Sequence, residues 1–267
     1  MTIRTGIGGW TYPDWRGGTF YPEGLRQADE LSYAAERLGA IEVNGTFYRL
    51  QKPESFAKWR DETPAGFVFA LKGSRFVTNR KDLSQAGESI DKFIGQGIAE
   101  LDDKLGPILW QLAKTKRFER DETAAFLALL PAEVAGLPLR HAIEVGHDSF
   151  ACPQFVDLAR EAGVAIVWSE DEGRAPIADR TAGFAYLRCQ KMRSECETGY
   201  DGEGLARIAE MCREWAAGTA PDGLPYAHDR AGSTGYGGDV FAFMINGAKE
   251  RAPAAAMALA EQLEGLQ

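Results

Sequence analysis

Eight short apolar runs punctuate the chain, at residues 3–9, 40–47, 66–73, 106–112, 141–146, 164–170, 184–190 and 239–247. Each is short for a helix and rich in β-branched or aromatic residues, the signature of a buried strand. Between them the apolar positions move to helical spacing: 29–39, 53–62, 83–106, 120–131, 152–163, 203–218 and 252–265. Pro53 stands where a first helical turn tolerates proline. The segment after the sixth run, DEGRAPIADRTAG, is the weakest helix of the series. Alternation of strand and helix over the whole length predicts parallel strands joined by helical crossovers. Eight such units in 267 residues predict one α/β domain over residues 1–267, a single (β/α)8 TIM-type barrel. The rival, an open doubly wound sheet, would carry a glycine-rich phosphate turn after its first strand, and GIGGWTYPDW continues into aromatics and proline instead. Residues 218–239 read as one long irregular loop.

Polar residues interrupt these runs at chosen places. Side chains alternate across a strand, so Ile41 and Val43 facing the helices turn Glu42 and Asn44 into the barrel. The same rule turns Lys72 and Glu144 inward, with Gln111 and Arg188 at matching positions. In the last run Val240, Ala242, Met244 and Asn246 share one face, and Ala242 is expected to join Ala70 and Ala142 as small inward residues that leave room above. These polar residues lie near the C-terminal strand ends, where barrel enzymes assemble their sites. The plainer alternative is an internal salt-bridge layer, Glu42 with Lys72 or Glu144 with Arg188, without catalytic duty.

Composition narrows the picture. A formal net charge of −9 argues against a nucleic-acid or anionic-membrane surface, so the expected partner is a small molecule. No apolar stretch reaches the length of a membrane span. The cysteines, Cys152, Cys189, Cys196 and Cys212, form no C-x-x-C pair and read as reduced thiols of a cytoplasmic protein. Oligomeric state is left open.

The stretches GIGGWTYPDWRGGTFYPEGL, IEVNGTFYRL, FALKGSRFVTN, LGPILWQL, EVGHDSF, AYLRC and FMINGAKERAPAAAMAL together resemble the DUF72, or YecE-like, family, over almost the whole chain. The resemblance implies a TIM-type barrel and supplies no reaction. Carried over position by position, it implies a pocket of Trp10, Tyr12, Trp15, Glu42, Asn44, Thr46, Tyr48, Arg49, Lys72, Arg75, Gln111, Glu144, His147, Arg188 and Asn246. The chain departs from the family pattern at Gly146, where arginine is usual, at Asn79, where histidine is, at Ala113-Lys114, where two prolines are, and at Cys189-Gln190-Lys191, where Leu-His-Gly is.

The inventory favours acid–base chemistry without a metal or redox cofactor. Glu42 and Glu144 form the expected acid–base pair. Lys72 and Arg188 are expected to stabilise anionic charge, and His147 to shuttle a proton or hold its loop. Asn44, Arg49, Arg75, Gln111 and Asn246 would position the ligand, with Trp10, Tyr12, Trp15 and Tyr48 as an aromatic wall for a carbohydrate-like molecule. Lys72 at a strand end can also form a Schiff base, although pairing with Glu42 or an anionic substrate is the favoured role. A metal set would draw on Glu42, Glu144, His147 and Asp171, but three histidines in the chain are few and nearby cations oppose it. Two alternatives stay open: a non-catalytic small-ligand-binding barrel, and a metal-dependent hydrolase or nuclease of the xylose-isomerase-like type.

Overall fold

A computed structural model describes residues 1–264. The eight apolar runs form parallel staves: β1 (Ile3–Gly8), β2 (Ala40–Val43), β3 (Val68–Lys72), β4 (Leu105–Gln111), β5 (His141–Glu144), β6 (Ala165–Ile166 with Trp168–Ser169), β7 (Phe184–Cys189) and β8 (Asp239–Met244). Each stave pairs with its chain neighbour, and β8 returns to β1 with Gly6 opposite Phe243. β6 is interrupted at Val167. Its first half pairs with β5, Ala142 opposite Ala165; its second half pairs with β7, Leu187 opposite Trp168. The result is the (β/α)8 TIM-type barrel.

Among the described residues seven helices cover the staves: α1 (Glu30–Ala35), α2 (Pro53–Asp61), α3 (Gly87–Ile94), α4 (Arg120–Ala128), α5 (Pro153–Glu161), α6 (Gly202–Ala217) and α7 (Ala252–Glu264). Proline opens α2 and α5, where its missing N–H costs no helical bond. The Asp201 carboxylate caps α6 by accepting from the Gly204 N–H. Of the last predicted helix, Gly265 lies outside the described residues.

Three expectations need correction. No helix forms over 171–183, where Gly173 and Pro176 interrupt the pattern and backbone bonds go to distant partners: the Ala175 N–H to Gly146 O at 2.8 Å, the Ala178 N–H to Pro225 O at 2.8 Å. The segment 83–106 is not one helix. It divides into a 3-10 turn Leu83–Gln85, α3, and a 3-10 segment Ile98–Lys104. The break falls at Gly97, whose φ is +107° and whose Hα faces Pro53 so closely that a Cβ there would meet it at 2.8 Å. Finally, β8 faces the other way. Val240, Ala242 and Met244 pack outward, and Phe241, Phe243 and Ile245 fill the barrel.

The interior is filled unevenly. β2, β3, β5 and β6 contribute Ala40, Val68, Ala70, Ala142 and Ala165, whereas β7 and β8 contribute Phe184, Tyr186, Phe241 and Phe243. On β1 the inward positions above Arg4 are glycines, Gly6 and Gly8. A Cβ on Gly6 would lie 2.1 Å from Ala40 O and 3.2 Å from the Phe243 ring. Small residues on one side thus admit large aromatics from the other, and this apolar plug is the floor on which the polar layer rests.

Candidate active site at the barrel mouth

At the C-terminal strand ends a cavity of about 780 Å³ opens above that plug. Its floor is a chain of alternating charges. Arg188, on β7, grips Glu42 of β2 with two bonds, Nε to Oε2 at 3.0 Å and Nη2 to Oε1 at 3.1 Å. Its remaining arm donates to Glu144 Oε2 of β5 at 2.7 Å. The other Glu144 oxygen, Oε1, lies 3.4 Å from Arg174 Nε, which is 3.6 Å from Asp171, and Asp171 pairs with Lys114 at 2.6 Å. Tyr186 donates its phenol proton to Glu42 Oε2 at 2.8 Å, and Gln111 donates to Glu144 Oε2 at 2.5 Å.

Burial would raise the Glu42 carboxyl, but the charges of Arg188 and Lys72 and the bonds from Arg188 and Tyr186 outweigh it and hold the carboxyl below its usual range. Burial would likewise discharge Arg188; Glu144 and Glu42 reverse this and raise it. Tyr186 is pushed well above the usual phenol range, by burial first and then by the Glu42 charge, so it stays a donor.

The local sequence explains this placement. In the stretch after β2, Asn44 leads into a short helical turn, Gly45–Tyr48. Thr46 Oγ1 lies 2.7 Å from Lys72 O and 3.0 Å from Val43 O, a fully buried hydroxyl joining the ends of β2 and β3. Phe47 then lies under Lys72, whose Nζ stands 4.5 Å from the ring centroid. Lys72 has no ion pair with Glu42 within 4.0 Å, so the expected close pairing is replaced by a cation over an aromatic face.

Trp10, Tyr12, Asn44, Tyr48, Arg49, Lys72, Gln111, Arg188 and Asn246 all line the cavity. Asn246 reaches it from beyond the end of β8 and donates to Gln190 Oε1 at 2.9 Å. Glu42 and Glu144 lie beneath the lining, both fully buried. Trp15 is fully buried as well; its indole N–H donates to Lys249 O at 2.8 Å, and Lys249 Nζ stands 4.9 Å from the Tyr12 ring. Trp15 therefore supports the wall from behind.

Two residues fall elsewhere. His147 caps the turn after β5, accepting from the Ser149 N–H at 3.1 Å with Arg117 at 3.3 Å from its other nitrogen. Arg75 is exposed beside Phe76 on the turn after β3. Sequence reasoning did not single out Lys114 and Lys249 as cavity residues, nor Arg174 and Gln190. These stand on loops after β4, β6, β7 and β8, where no alternation marks a facing direction.

The family model described as "Protein of unknown function DUF72" matches residues 4–267. The curated UPF0759 protein YecE of Escherichia coli K12 is 27% identical over 151 residues, 55% of this chain and 50% of the relative, so the match spans about half the length of that protein. A DUF72 family protein of Thermotoga maritima superposes at TM-score 0.74 with 22% identity, over 99% of this chain and all of the other. One of Enterococcus faecalis V583 superposes at 0.70 with 17% identity, over all of this chain and 96% of the other. Among the described residues no helix is long and apolar enough to cross a membrane.

Proposed function

The chain belongs to the DUF72 family, and we propose that its barrel mouth takes a small anionic molecule rich in hydroxyl oxygens, a carboxylated or phosphorylated carbohydrate-like compound, and turns it over by metal-free acid–base chemistry. The observation that carries this reading is the charge of the wall. Arg49, Lys72, Lys114, Arg174, Arg188 and Lys249 line the cavity of a chain whose formal net charge is −9. Asp171, Glu42 and Glu144 offset only part of that charge. A cleft of one sign between low-dielectric walls focuses field onto its ligand.

Arg188 and Arg174 are fixed in place by carboxylates, so they meet a ligand already oriented. Glu42 and Glu144 act here through Arg188, because both lie under the lining and share that one guanidinium, which leaves Lys72 as the buried group of the wall placed to exchange a proton with the ligand. Tyr12 and Trp10 offer ring faces, and Asn44, Gln111 and Gln190 offer amides suited to hydroxyl groups. The metal-dependent reading gains no support: no three His, Cys, Asp or Glu side chains gather in a ligand-like group among the described residues, and the cations of the wall oppose a divalent ion. The binding-only alternative shares every contact and differs in turnover.

Calorimetry separates these readings. Gluconate and glucose 6-phosphate should bind where glucose does not, and affinity should fall as salt rises from about 0.05 to about 0.5 M. Lys249→Gln should weaken binding about tenfold, the loss of one charge-assisted contact. Equal, salt-independent binding of glucose would sink the proposal. Anion binding with the ligand unchanged by proton NMR would favour the binding-only barrel.

A further inference from the structure

Among the described residues, Lys72 is the one cation of the cavity wall that is both buried, at 9% exposure, and without a hydrogen bond or an ion pair within 4.0 Å. Its burial as a charge would ordinarily demand a partner. Arg188 and Arg174 have theirs, and Arg49 is in solvent. Lys72 instead has the Phe47 ring on one side and the open cavity on the other. Its backbone is pinned by Thr46 at the end of β3, which fixes where the side chain starts, and the Phe47 face bounds it on one side. Burial pulls its ammonium below the usual lysine range; Glu42 opposes this, and Arg188 adds to it. A lysine so placed spends more time as a free amine, which is a nucleophile.

We propose that Lys72 is a covalent catalytic residue that forms an imine with the carbonyl carbon of an anionic aldehyde or ketone, a 2-oxo acid or a phosphorylated sugar. This rests on the anion-site reading above and adds the reactive group of the substrate. Lys72 releases one proton to water in the open cavity, and the Nζ lone pair attacks the carbonyl carbon. The C–N bond forms as the carbonyl π pair moves to oxygen, which takes up, through water, the proton shed by the newly bonded nitrogen. The nitrogen lone pair then forms the C=N bond as the carbinolamine hydroxyl takes back the proton first given to water and leaves as a water molecule. The net change is ammonium plus carbonyl to protonated imine plus water, which needs no oxidant or reductant. Arg188, Arg174 and Lys249 receive the anionic group.

The test is reductive trapping with cyanoborohydride, read by intact mass and peptide mapping. The probes are pyruvate and dihydroxyacetone phosphate, with neutral dihydroxyacetone as the uncharged carbonyl. Lactate and glycerol 3-phosphate serve as anions that cannot form imines. At least one anionic carbonyl should label Lys72 about tenfold faster than any exposed lysine, as expected of an activated amine. Which one labels distinguishes an oxo acid from a sugar phosphate. Lactate or glycerol 3-phosphate should slow that labelling, and Lys72→Arg, checked for a native melt, should abolish it. If a non-carbonyl anion raises the melting temperature but labelling is confined to exposed lysines, the imine is overturned and the anion site stands. If none of the probes shifts the melt or labels Lys72, both fall. Equal labelling of Lys72 by neutral dihydroxyacetone would overturn the requirement for an anionic substrate.

Discussion

Glu42 shows how much a single side chain decides. It sits on an inward strand position with 0% exposure, where an unpaired carboxylate would cost several kcal/mol. Arg188 meets it with two bonds and Tyr186 with a third. Its folded titration lies below the ordinary 4.5, so the stabilisation it brings is fully present above that pH and is lost as pH falls through the folded value. Glu42→Gln should therefore be less stable than the parent by about 3 kcal/mol at neutral pH, with the gap narrowing well below pH 4.5, as urea melts across that range would report. A constant gap would mean that the carboxyl charge is irrelevant to stability. The inward carboxylates were legible because alternation alone assigns their face and burial alone demands a partner. For Glu144 the partner was legible as well, since the expected Arg188 stands 2.7 Å from it. For Glu42 it was not: it takes the same Arg188 and leaves Lys72 free, a choice set by three-dimensional reach that strand spacing does not encode. Arg174 and Lys114 escaped for the related reason that loop residues carry no period.

At the scale of elements, the strands were readable and their interruptions were not. All eight apolar runs form staves because each buries both faces, which leaves an unbroken apolar signature. On β8 both faces are apolar, so hydrophobicity could not choose between them. The choice comes from β1, where Gly6 opposite Phe243 leaves space for that ring; a Cβ there would stand 3.2 Å from it. The predicted helix over 83–106 has continuous amphipathic spacing, yet Gly95 and Gly97 end it where α2 begins to press on the backbone. Gly97→Ala should cost about 1–3 kcal/mol, from a left-handed backbone angle and from contact with Pro53 together. A thermal melt unchanged from the parent would show that the junction can yield.

On the scale of the whole molecule, the net charge of −9 and the cationic mouth belong to one design of field. The acidic exterior gave the overall sign, and the exclusion of nucleic acid drawn from it concerned the surface. The mouth has the opposite sign, and only the closing of the barrel brings Arg49, Lys72, Lys114, Arg174, Arg188 and Lys249 around one space from six separate segments. The barrel itself is held unequally. Six of the joints between staves run over three or more paired residues, but β6 is divided at Val167, with one half bonded to β5 and the other to β7 over two paired residues each. It is also the stave without a covering helix after it.

A wall built this way works like a cut in a hoop. Tension carried around the other staves has to pass through two short half-joints, so thermal breathing should concentrate there. Amide exchange should be faster at Ile166 and Trp168 than at Ile41 or Phe69, and an even profile would deny the cut. Asp171 and Arg174 hang just beyond that joint. The stave joined over the fewest residues thus stands at one side of the entrance, and a guest that bridges Arg174 to Arg188 would fasten the hoop shut behind itself.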